Sequence, residues 1–200
     1  MAIDFDISTI LLAIILLSPA LIYVRRVKKY SLVKLLFLAA FLAYIVGVMS
    51  QTLFPIYIDS DLREMVGQNT WGHVNTTPLI KLAWSDARAS FLNIVLFLPF
   101  GFFLPLLFRK NTISQVLLKA VIFSVSIEAL QLTLALLSGF TFRYIDINDV
   151  IFNTFGALIG YTAFLTFGKI FQAIINKYNL EMNPVLTFLD KSTKRFTKNT

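Results

Sequence analysis

Cysteine is absent from this 200-residue chain, which excludes disulfides, thiolate metal sites and cysteine nucleophiles. Charge is scarce: 14% of residues are Asp, Glu, Lys or Arg, against about 25% in soluble domains. No internal repeat or low-complexity tract is visible, and neither H-E-x-x-H nor G-x-S-x-G occurs. Apolar residues fill the space instead, at 57% against about 45–50% in soluble domains. Mean hydropathy is +0.74. No soluble domain of this size has enough interior to hide that much apolar surface. The composition predicts an all-α, polytopic integral membrane protein.

Five stretches are long and apolar enough to cross a hydrocarbon core of about 30 Å, which takes about 20 residues. They are residues 7–24, 35–54, 91–108, 120–137 and 150–167. Unsatisfied backbone groups are intolerable in lipid, so all five should be helices, and runs such as IVLFLPFGFFLPLLF lack the alternation of a barrel strand. The first span is not a signal peptide, because acids (Asp4, Asp6) precede it and bases (Arg25, Arg26, Lys28, Lys29) follow it. Residues 1–168 therefore form the transmembrane domain and 169–200 a basic tail.

Lys and Arg divide fourteen to four between the two sets of connections. Positive-inside counting then puts the N-terminus outside and the C-terminus in the cytoplasm of a plasma membrane. The +7 net charge follows topology, which sets nucleic acid aside as a partner. One long outer connection, 59–90, carries Trp71, Trp84 and the sole histidine, His73. Trp favours the headgroup zone, so this connection should lie along the interface as a lid or short re-entrant piece. An amphipathic stretch at 170–178 leads to the basic run from Lys191, which sits on anionic lipid or frays in solvent.

An ionisable side chain in hydrocarbon costs at least about 2.5–3.5 kcal/mol, so one that persists needs a partner or a purpose. Glu128 lies nine residues before the outer end of span four, about 14 Å deep. Gln131 and Ser124 share its face. Asn93 and Gln51 sit just inside the outer ends of spans three and two. Asp149 opens span five, with Asn153 one turn below and Asp146 one turn above. Arg143, the cation of the loop between spans four and five, can bridge Glu128, Asp146 or Asp149. All these groups fall in the outer half, and the inner half has almost nothing comparable. Gly156 and Gly160 form a G-x-x-x-G stripe suited to tight helix packing. Pro99, Gly101 and Pro105 should bend span three and open space beside Asn93. His73 reads as a surface loop residue and a conceivable ligand or proton carrier. Asn75-Thr76-Thr77 matches a glycosylation sequon. Asn93 and Asn153 are equally well read as glue between helices.

Three of these pieces, in order, resemble the VanZ-like family. They are N-x-x-x-F-x-P-x-G-x-x-x-P (Asn93, Phe97, Pro99, Gly101, Pro105), S-x-x-E-x-x-Q (Glu128, Gln131), and R-x-x-D-x-x-D-x-x-x-N-x-x-G-x-x-x-G (Arg143, Asp146, Asp149, Asn153, Gly156, Gly160). The serine of the second piece falls at Ser124 or Ser126. The likeness covers about residues 45–165. It implies a multi-pass bacterial membrane protein, in a family whose named member is associated with low-level teicoplanin resistance and which has no established catalytic reaction.

Two functions follow. In the first, the outer polar cleft of Asn93, Glu128, Gln131, Arg143, Asp146, Asp149 and Asn153 binds an amphiphile: a membrane lipid, a lipid-linked wall precursor or a lipoglycopeptide. Arg143 would meet its anionic group, with Gln51 and His73 as secondary contacts. In the second, the chain is an intramembrane enzyme acting on a lipid headgroup or wall precursor, with Glu128, Asp146 and Asp149 supplying a base or oxygen ligands. The first needs no cofactor or metal and is preferred.

Overall fold

A computed structural model describes residues 2–57, 70–79, 84–108, 112–139, 141 and 143–197. Among them are six α-helices: α1 (Ile7–Arg26), α2 (Leu32–Leu53), α3 (Trp84–Leu107), α4 (Ile113–Ser138), α5 (Ile147–Tyr178) and α6 (Pro184–Thr197). The first five are long and apolar enough to cross a membrane. The protein is an all-helical, multi-pass membrane bundle.

Caps set the helix limits. Asp6 accepts from the Thr9 N–H to start α1, and Ser31 accepts from the Lys34 N–H to start α2. Thr112 and Gln115 form a capping box at α4, which ends at Gly139 with φ 78°. Two helices outrun their expected spans. α3 begins at Trp84 rather than 91, because no proline or glycine interrupts residues 84–90. α5 continues to Tyr178, where Asn179 takes the left-handed conformation (φ 46°). Residues 169–178 therefore prolong span five instead of opening the tail. The expected lid over 59–90 falls in part on 59–69 and 80–83, outside the described residues.

The closest pair is α3 and α5. A Cβ added at Gly156 would overlap the Ile94 carbonyl, one at Gly160 the Leu98 carbonyl, and one at Gly101 the Ala157 carbonyl. Glycine lets these backbones touch, as the small-residue stripe implied. Beside this seam, rings from three helices interlock: Phe97, Phe100 and Phe103 of α3, Phe41 of α2 and Phe123 of α4, with centroids 5.3–6.0 Å apart. Phe97 is fully buried. By contrast, α1 fully buries no residue: of its apolar residues only the stripe Ala13, Leu17, Leu21 and Val24 is half-covered, and the rest of its apolar surface is exposed.

The tail forms a helix against the bundle. α6 is amphipathic, and its apolar side stacks Phe188 on Phe37 (5.1 Å) and sets Phe196 edge-on to Phe164 (5.3 Å). Gln172 Nε2 donates to Asp190 and to Thr193, each at 2.9 Å. Thr193 packs over Gly168, where a Cβ would lie 3.2 Å from its own. At the opposite end, β1 (Ala2–Ile3) pairs antiparallel with β2 (Ile56–Tyr57), and β3 (Val74–Asn75) pairs in parallel with β4 (Ile145–Asp146). These short ladders fasten the N-terminus and the α2–α3 connection over the mouth where α4 ends and α5 begins.

Candidate functional site

At that mouth the polar residues meet. Glu128, buried on α4 with 8% of its surface exposed, accepts a hydrogen bond from the Asp146 N–H at 3.0 Å. Asp146 caps α5, accepting from the Asn148 N–H at 2.8 Å and from Asn75 Nδ2 at 2.9 Å. Asp149, in the first turn of α5, accepts from Asn93 Nδ2 at 2.6 Å. One turn deeper, Asn153 Nδ2 donates to the Ser124 hydroxyl at 2.8 Å. Helix periodicity aims Asp149 and Asn153 along one face of α5, toward α3 and α4.

Asn93, Glu128, Asp146, Asp149 and Asn153 thus share one connected region. Ser124 supplies the motif serine here, since it is fully buried against Asn153, whereas Ser126 is exposed and bonds the Ile122 carbonyl. Two members escaped the sequence reading. Asn148 is buried and accepts from the Leu79 N–H at 2.8 Å. Leu79 itself stands at φ 57°, uncommon for a branched residue. Asn75, the sequon asparagine, joins through β-pairing that no local periodicity announces.

Arg143 and Gln131 lie beside this cluster, in a small open cleft of about 40 Å³ lined also by Thr52, Leu53, Pro55 and Ile56. Gln131 Nε2 donates to the Thr52 carbonyl and Arg143 Nη2 to the Phe54 carbonyl, both at 2.9 Å. The expected bridge from Arg143 to Glu128, Asp146 or Asp149 is not formed. Each acid already accepts from an N–H of the protein, and the guanidinium is spent on the end of α2, whose last carbonyls lack helical partners. Gln131 Oε1 and Arg143 Nε are buried without a hydrogen-bond partner.

The secondary positions fare differently. Gln51 is exposed and lies outside the cluster, because its place on α2 is turned from the face that carries Thr52. His73 ends a 3-10 turn (Thr70–His73) and packs its ring on Tyr144 at 4.9 Å, at the rim. Among the described residues, no three His, Asp or Glu side chains are grouped to hold a metal ion.

The cleft brings together Gln131 and Arg143, each with one buried unpaired polar atom, in a lining that mixes Leu53, Pro55 and Ile56 with Thr52 and Ser138, while the adjoining acids and amides tie Asn75 and Leu79 to the start of α5. No curated protein and no solved structure matches the chain. A family model described as VanZ/LLP1 matches residues 10–171, a stretch that reaches into all five spanning helices and takes in Asn93, Glu128, Gln131, Arg143, Asp146, Asp149 and Asn153. The chain belongs to the VanZ/LLP1 family.

Proposed function

We propose that the protein binds the polar head of an amphiphile in the cleft beside Gln131 and Arg143. The observation that carries this reading is the pair of buried, unmet atoms, Gln131 Oε1 and Arg143 Nε, in a small open cleft of mixed lining at the end of the spans. A buried polar atom without a partner costs about 1–3 kcal/mol, and a ligand that supplies the partner recovers it. Arg143 suits a phosphate or carboxylate and Gln131 Oε1 suits a hydroxyl or amide donor. Lipid-linked wall precursors and lipoglycopeptides carry both. The uneven division of Lys and Arg supports setting this mouth at the outer face of a bacterial plasma membrane. There, binding would contribute to glycopeptide resistance, as in teicoplanin, or to envelope homeostasis.

The alternative, an intramembrane enzyme using Glu128, Asp146 and Asp149, has in its favour that Glu128 bonds the Asp146 peptide N–H and Asp149 follows in the first turn of α5. It has less support, because each acid is engaged by a protein N–H.

The test loads the full chain, in nanodiscs, with a polyprenyl pyrophosphate and measures retention. Arg143→Ala should lower retention roughly tenfold, the worth of one charge-assisted hydrogen bond. Equal retention by well-folded Arg143→Ala and Gln131→Ala proteins defeats the reading.

A further inference from the structure

The end of the bundle away from Glu128 holds a larger, open-mouthed cavity of about 580 Å³, bordered by the α1–α2 turn, the last turn of α3 and the start of α6. Lys29, Lys34 and Lys191 line it, with Tyr30, Met182 and Phe188 as apolar wall. The described lining residues include no acid. The acid on α6, Asp190, is engaged by Gln172 and by Lys194. Lys34 Nζ stands 3.6 Å above the Tyr30 ring, which holds that ammonium at the cavity wall.

Three lysines lining a space of mixed apolar and hydroxyl wall (Ser31, Thr187 and Ser192 beside Tyr30, Met182 and Phe188), level with the ends of α1, α2 and α3, fit a particular chemistry. Lysine binds phosphate as a point charge. Lys and Tyr belong at the headgroup level, where stem or ring lies in apolar surroundings and the polar tip is wet. A small soluble anion would leave Met182 and Phe188 unused, whereas a lipid covers them with the first carbons of its chains. We propose that this cavity binds an anionic phospholipid of the leaflet at that end, its phosphate between Lys34 and Lys191. Because α6 supplies Lys191, Phe188 and Met182 flanks it, the lipid seals the tail helix to the bundle.

The experiment is native mass spectrometry of the full chain taken from nanodiscs of equal phosphatidylglycerol and phosphatidylcholine. Phosphatidylglycerol should be retained over phosphatidylcholine, and Lys34→Gln and Lys191→Gln should each cut that retention roughly fivefold, as expected per lysine at an anionic surface. Lys28→Gln removes an exposed lysine outside the cavity lining and should leave it unchanged. Melting temperatures near wild type certify that the variants are folded. The proposal fails if the two lipids are held equally, if Lys28→Gln matches the cavity variants, or if inorganic phosphate displaces the lipid.

Discussion

The peptide N–H of Asp146 donates to the carboxylate of Glu128 across the mouth of the bundle, at 3.0 Å. The acid placed deepest by sequence counting thus holds the first residue of the α5 cap. Glu128→Ala should destabilise the protein by about 1–3 kcal/mol by leaving that N–H unsatisfied. Glu128→Gln keeps an acceptor oxygen and should cost less. Thermal unfolding in detergent ranks the two, and an equal loss would mean that the carboxylate's contact with Asp146 is unimportant.

Glycines in this chain should respond oppositely to the same change. Gly156→Ala and Gly160→Ala drive a methyl into the α3 backbone, which must move, so each should cost at least the roughly 1–3 kcal/mol of overpacking. A Cβ at Gly47 meets nothing within 4 Å. Gly47→Ala should stabilise α2 by about 0.5–1 kcal/mol, the helix preference for alanine. Melting curves of the three variants are the check.

Asn75 should carry no glycan even in a host that modifies such sequons. Its Nδ2 donates to Asp146 and its Oδ1 accepts from the Thr77 N–H, so the acceptor nitrogen is engaged once folding is complete. An intact mass with no glycan increment at Asn75 is the expected result.

A cysteine-free chain makes sidedness directly measurable. Thr77→Cys, exposed near the mouth, should react with a membrane-impermeant maleimide on intact cells. Glu181→Cys, exposed at the α6 end, should react only after permeabilisation. The opposite pattern inverts the orientation and removes the outer-face setting of the cleft. Asn153 is a poor probe for this purpose, being 3% exposed.

The existence of the spans was legible because hydrocarbon tolerates few polar residues, and Leu, Ile and Phe runs report that constraint directly. Their limits were less so: nothing in a hydropathy count tells α5 to run on to Tyr178, since polar residues extend a helix into water at little cost. The mouth was largely readable because Glu128, Asp149 and Asn153 are expensive at depth and spaced at helical intervals. The partners of Arg143 were not. Charge alone suggested an acid, whereas the Phe54 carbonyl became its partner because tertiary packing brought the end of α2 alongside. Asn148 lies between two aspartates with nothing local to set it apart, and its role appears only once Leu79 folds back from 69 residues away.

The 32 residues of α5 make a rod about 48 Å long at 1.5 Å per residue, well beyond the hydrocarbon thickness of about 30 Å. Its first turn carries Asp149, and its last turns carry Gln172, pinned to Asp190 and Thr193. No proline interrupts it. An axial slide of this one member therefore displaces the acidic rim and the docked amphipathic segment together, joining two water-facing boundaries without any loop between them.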